Sequence, residues 1–189
     1  MCVLPFLRFI IFLFFVGCVT VSAQQTNTIV VGGGVGITSV TSDSIKVKNP
    51  GYSFHFFADI PITKFLFYTA SIHYWSVERT AVHNFPTSGN LRNFEFTLLA
   101  LKAKFPVLNF RPLMYGGISF NQLLNGWNEQ TARLAFDYGF GVEYHFTQKF
   151  IVRANIHNQA ITSGISFNRP VTDRARSVSF SLNIATILD

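Results

Sequence analysis

Between Thr131 and His157 the chain alternates residue by residue. Leu134, Phe136, Tyr138, Phe140, Val142, Tyr144 and Phe146 take the even positions; Arg133, Ala135, Asp137, Gly139, Gly141, Glu143 and His145 take the odd ones. Successive side chains of a strand point to opposite faces, so one face is wholly apolar and the other is polar or very small. After Thr147-Gln148-Lys149 the alternation resumes, with Phe150, Val152, Ala154 and Ile156 set against Arg153, Asn155 and His157. The pattern is an amphipathic hairpin, its strands longer than the roughly five or six residues usual in soluble sheets.

The rest of the chain repeats this unit. Alternation predicts eight strands, over residues 27–38, 51–60, 64–77, 91–105, 110–121, 132–146, 149–159 and 175–188. The second sets Tyr52, Phe54, Phe56, Ala58 and Ile60 against Ser53, His55 and Asp59. The third sets Leu66, Tyr68, Ala70, Ile72 and Tyr74 against Thr69, Ser71 and His73, and the last sets Val178, Phe180, Leu182 and Ile184 against Ser177, Ser179, Ser181 and Asn183. The fourth slips at Leu98-Leu99-Ala100-Leu101, which reads either as a bulge or as a buried run near the periplasmic rim. Long polar gaps (39–50, 78–90, 122–131, 160–174) alternate with tight turns around Pro61-Ile62-Thr63, Pro106-Val107-Leu108-Asn109 and Thr147-Gln148. Eight antiparallel strands with alternating loop lengths predict an all-β up-and-down barrel with both termini at the short-turn end.

Residue size decides which face points outward. The polar face carries Gly32, Gly34, Gly36, Ala135, Gly139, Gly141 and many serines, but few lysines. Charged residues make up 13% of the chain, against about 25% in soluble domains. Small residues suit the crowded lumen of a narrow barrel. The face rich in Phe, Tyr, Leu and Val then meets lipid, with Tyr52, Tyr74, Tyr144 and Phe146 at the membrane interfaces. A closed barrel satisfies every backbone hydrogen bond within hydrocarbon. The expectation is therefore an eight-stranded antiparallel transmembrane β-barrel, with a soluble lipocalin-like carrier as the alternative.

Residues 1–23 read as a signal peptide. Arg8 precedes an apolar core from Phe9 to Val16, and Val21-Ser22-Ala23 supplies small residues for cleavage before Gln24. The barrel domain is then 24–189. The apolar core is too short for a convincing spanning helix, while Phe15-Val16-Gly17-Cys18 offers an alternative lipidation site. Cys2 and Cys18 both lie in this segment, so the exported chain carries no disulfide and no thiolate chemistry. Loss of Arg8 lowers the net charge from the +6 of the whole chain by one. An exported chain does not meet nucleic acid, whatever its pI.

Three stretches carry a family resemblance. They are the glycine-rich Val30-Val31-Gly32-Gly33-Gly34-Val35-Gly36, the run Phe94-Glu95-Phe96-Thr97-Leu98-Leu99 leading to Lys102 and Lys104, and Arg111-Pro112 followed by Tyr115-Gly116-Gly117. With these the mature chain resembles the PorT-like group of small outer-membrane β-barrel proteins of Bacteroidota. It departs from that pattern at Thr97, where the group typically has proline, and at its Ile187-Leu188-Asp189 end, which lacks a terminal aromatic. The resemblance implies a cell outer-membrane location, and some members assist protein secretion.

Parity sets the register of the central hairpin. Phe146 is expected opposite Phe150, Tyr144 opposite Val152, Glu143 opposite Arg153, Gly141 opposite Asn155 and Gly139 opposite His157. The loop is Thr147-Gln148-Lys149 or, because it has no glycine, a frayed five-residue version in the same register. Glu143 and Arg153 then pair inside the lumen, and Arg133 and Asp137 extend the network toward the outer rim as a structural plug. Arg169, Arg174 and Arg176 cluster with Asp173 in the last long loop. They read as a solvated loop or as a contact for lipopolysaccharide phosphates. The long loops are also where a protein partner would bind.

Catalysis has one candidate. Ile156-His157-Asn158-Gln159-Ala160 is similar to the His-x-Ser-Asn-Ala stretch of lipid A deacylases, but Gln159 stands at the nucleophile position and Ser163 lies further on. A lipid A acyl hydrolase using His157 and Ser163 is the enzymatic alternative. His55, His73 and His145 read as lumen residues and His83 as a loop residue, without close metal-ligand spacing, so no cofactor or metal is expected. The leading expectation is a non-enzymatic barrel with a structural, binding or assembly and secretion-accessory role.

Overall fold

The computed structural model describes residues 28–42, 47–80, 89–105, 109–124, 131–161 and 175–188. Eight antiparallel strands follow one another round a closed barrel: β1 (Ile29–Ser42), β2 (Val47–Pro61), β3 (Leu66–Arg79), β4 (Gly89–Lys104), β5 (Phe110–Leu124), β6 (Thr131–His145), β7 (Phe150–Ile161) and β8 (Ala175–Leu188). The first and last strands pair without a break from Ile29↔Leu188 to Ser42↔Ala175, so no sheet edge is left open. Ile29 and Leu188 lie at the short-turn end.

The outward face is an apolar belt that includes Val35, Phe56, Ile118, Phe140 and Ile184, all exposed. Aromatic rings gather toward both rims. Tyr52, Phe54, Tyr74 and Phe94 form one row with neighbouring centroids 4.9–6.4 Å apart. On the turn side Phe110 packs on Tyr144, and Tyr144 on Phe146. A soluble carrier turns its charges to water, whereas this barrel buries charges such as Asp59, Lys102, Glu143 and Arg153 inside.

The ladders run further toward the long-connection end than alternation predicts. The expected loop 39–50 is mostly strand, with β1 continuing to Ser42 and β2 starting at Val47. Beyond the hydrocarbon neither face needs to be apolar, so the hydrophobic period stops before the backbone pairing does. Near its start β2 pairs irregularly, with register shifts between Val47, Asn49 and Tyr52.

The slip in β4 is a bulge. Pairing with β5 steps from Thr97↔Ser119 to Leu99↔Ile118, and pairing with β3 from Ser71↔Thr97 to Thr69↔Ala100. Leu99 and Leu101 are 56% and 39% exposed, which excludes a buried run. One extra residue reverses the parity of the strand. Asn93, Glu95 and Thr97 point inward before it; Ala100, Lys102 and Lys104 point inward after it.

The central hairpin has Tyr144 opposite Val152, Glu143 opposite Arg153, Gly141 opposite Asn155 and Gly139 opposite His157. Its turn manages without glycine because Thr147 Oγ1 accepts from the amides of Lys149 (3.2 Å) and Phe150 (3.0 Å). Thr63 Oγ1 does the same for Phe65 and Leu66 in the turn between β2 and β3. In each, the hydroxyl supplies locally the bonds that a left-handed glycine otherwise makes possible.

Candidate functional site

The lumen is filled by side chains in layers. Nearest the turns, five charged groups from four strands meet: Asp59 (β2), Lys102 and Lys104 (β4), Glu143 (β6) and Arg153 (β7), all buried. Arg153 Nη2 donates to Asp59 Oδ2 at 2.5 Å and also to Glu143. Lys102 Nζ lies 2.6 Å from Asp59 Oδ1, and Lys104 Nζ lies 3.0 Å from both Asp59 Oδ2 and Glu143 Oε1. Three cationic groups thus share two carboxylates. The excess positive charge is met by ring faces: the Arg153 guanidinium sits 3.8 Å from the Phe57 centroid and Lys104 Nζ 4.3 Å from that of Phe67.

One step further from the turns lie the imidazoles. Glu95 is opposite His73 in register, with Oε2 at 3.1 Å from His73 Nδ1. From the far wall His157 brings Nε2 to 3.3 Å from Glu95 Oε1. The other ring nitrogen of His157 is 2.7 Å from Tyr115 Oη, and the two rings stack. Gly139 makes that stacking possible, because a Cβ there would stand 2.5 Å from Tyr115 Oη. The His55 ring flanks His73 and reaches Asn183 Oδ1 at 3.3 Å.

The next layer is built on Asp137. Its carboxylate accepts from Ser119 Oγ (3.0 Å) and Gln159 Nε2 (3.1 Å), and Thr97 Oγ1 lies 3.2 Å from both Asp137 and Glu95. Asn93 donates to Asn121 at 2.7 Å. Above this, Val40, Trp75, Val77, Leu91, Ala135, Ile161 and Ala175 close the long-connection end as an apolar cluster. At the turn end a cavity of about 360 Å³ is bordered by Lys64, Lys104, Arg111, Glu143, His145 and Ile151.

An inward polar column inside an outward apolar belt is the layout of a bacterial outer-membrane barrel. Residues 9–183 match the family described as outer membrane protein beta-barrel domain. The chain belongs to this family. No curated protein matches it in sequence. Among solved structures it is similar to Neisserial surface protein A, at 16% identity and a TM-score of 0.61, covering 84% of this chain and 96% of that one. It is also similar to OprG from Pseudomonas aeruginosa, at 10% identity and a TM-score of 0.55 over 87% of this chain and 97% of that one. Ail, the attachment invasion locus protein of Yersinia pestis, aligns at 12% identity and a TM-score of 0.52, over 87% and 100%. At such identities the likeness is one of fold. Family and fold together make this an outer-membrane barrel.

The structure divides the four lumen charges singled out in the sequence. Glu143 and Arg153 are bonded in the turn-side cluster, whereas Asp137 belongs to its own hydrogen-bonded layer. Six residues of strand separate Asp137 from Glu143, about 20 Å at ~3.3 Å per residue, and the imidazole layer lies between. Arg133 is buried on the lumen face still nearer the long connections, opposite Asn121. Arg176 lies in β8, not in a loop, on the outward face beside Val178 and opposite Thr41 and Ala160. Arg169, Arg174, Asp173, His83, Ser163 and residues 1–23 fall outside the described residues.

Sequence reasoning set Asp59 and His73 on the lumen face without their partners, and missed Lys102, Lys104, Glu95 and Tyr115 as members of these layers. The signal for the two lysines was the break at Leu98, since counting parity across a bulge turns them inward with Glu95.

Proposed function

We propose that this outer-membrane barrel is non-enzymatic: a closed structural scaffold whose long-connection end binds envelope components. The observation that carries the reading is the mutual pairing of Asp59, Glu143, Arg153, Lys102 and Lys104, which uses the lumen's charges as a plug. Eight strands leave an interior only wide enough for such a filling. His157 turns toward Tyr115 and Glu95 in the lumen, away from the lipid where an acyl chain would lie. Arg176, at the outward long-connection rim, together with Arg169 and Arg174, contacts phosphates of lipopolysaccharide, and the long connections hold any protein partner. The glycine-rich first strand and the Glu95–Lys104 run support membership of the PorT-like group of Bacteroidota, with a secretion-accessory or assembly role. Export follows cleavage after Ala23.

The purified folded protein incubated with lipopolysaccharide tests this. Binding that weakens in Arg176→Ala, with no fatty acid released, is the expected result. Fatty acid release that disappears in Ser163→Ala overturns the reading in favour of the acyl hydrolase.

A further inference from the structure

The geometry points to a transition-metal site in the imidazole layer, held by His73, Glu95 and His157 and suited to a zinc-class divalent ion. One ligand atom from each of the three residues lies within 4.8 Å of the others. The two carboxylate–imidazole separations are 3.1 and 3.3 Å. In a tetrahedral shell with bonds of about 2.0–2.1 Å, ligand atoms stand about 3.3 Å apart. Two imidazoles and one carboxylate are a donor set that zinc accepts, with a fourth position left for water or another ligand.

Three further features set this layer apart from an ordinary ion pair. His157 Nε2 is buried and makes no aligned hydrogen bond, although Glu95 is close. In the proposed site both groups are ligands of a common atom. His157 Nδ1 is held by Tyr115 Oη; donation to that oxygen fixes the tautomer whose Nε2 lone pair faces Glu95. Thr97 Oγ1 lies 3.2 Å from Glu95 Oε1, the oxygen that also faces His157, and helps to hold the carboxylate in place.

The site is shut in on both sides, by the Arg153 cluster toward the turns and by the Asp137 layer and apolar cluster toward the long connections. An ion must therefore enter while the barrel forms, and it exchanges slowly afterwards. Zinc held by exposed histidines exchanges at once, so kinetics separates the two cases.

The experiment refolds the chain into detergent micelles with zinc chloride, removes free ion with a chelator and measures bound zinc by mass spectrometry. Folding is checked by heat-modifiable gel mobility. About one zinc per folded chain, resistant to chelator until the barrel is unfolded, is expected for the wild type. Glu95→Gln and His157→Gln should lose stoichiometric zinc, and Tyr115→Phe should weaken binding about tenfold. Cobalt refolded into the wild type should show a tetrahedral visible spectrum with imidazole ligation, a readout independent of any variant's folding. Wild-type barrels that retain no zinc, or zinc and cobalt signals unchanged in folded Glu95→Gln, overturn the proposal and leave a metal-free Tyr115–His157–Glu95–His73 relay.

Discussion

The two ends of the lumen are closed by opposite means. Toward the long connections Trp75, Val77 and Leu91 interlock as an apolar cluster; toward the turns Asp59, Glu143 and Arg153 do so as bonded charges. The difference lies in how each tolerates loss. An apolar plug loses the transfer energy of the atoms removed and gains a cavity. An ionic plug that loses one member strands its partners in a medium that cannot solvate them. Each closure is stable, but losing one member should cost the ionic one more.

The largest effect should come from breaking the ionic end. Arg153→Met leaves Asp59 and Glu143 without their shared guanidinium and should cost about 3–5 kcal/mol in urea unfolding from detergent micelles. Glu143→Gln added to Arg153→Met should deepen that loss, because Lys102 and Lys104 then face Asp59 alone. A double variant more stable than the single one would break the comparison.

At the apolar end, Leu91→Ala should cost about 3 kcal/mol, the middle of the range for buried leucine truncations. Combined with Arg153→Met it should add to within about 0.5 kcal/mol, since the two layers share no partners. A larger coupling would mean that the lumen is one cooperative plug.

Between the two ends, Gly139→Ala drives a methyl into the Ile156 carbonyl and Tyr115 and should cost about 1–3 kcal/mol, with the Tyr115 near-ultraviolet dichroism changed. The smallest effect belongs to the belt. Phe140→Leu exchanges one lipid-facing apolar side chain for another and should move the unfolding midpoint by less than about 1 kcal/mol.

How much of this was legible in the sequence follows from where alternation is uninterrupted. From Thr131 to His157 no bulge intervenes, and parity alone gives the pairing seen, Glu143 opposite Arg153 included. In β4 one extra residue at Leu98 reverses the faces, so Lys102 and Lys104 looked like the tail of a motif rather than partners of Asp59. The outer reach of β1 and β2 was hidden because pairing continues where lipid no longer imposes a period. Asp137 and Arg153 share a face, yet face alone carries no height, and the layer that separates them draws His73, Glu95 and Tyr115 from other strands. His73, Glu95 and His157 sit on three strands, and local spacing is blind to ligands brought together across a lumen.

The central claim is that the lumen is closed by its own side chains, and conductance across a planar bilayer tests it most directly. Refolded wild-type protein at high salt should give no large, stable single-channel steps. Arg153→Met should admit water before it unfolds and show brief, small openings. Large, steady conductance from the wild type would contradict the account.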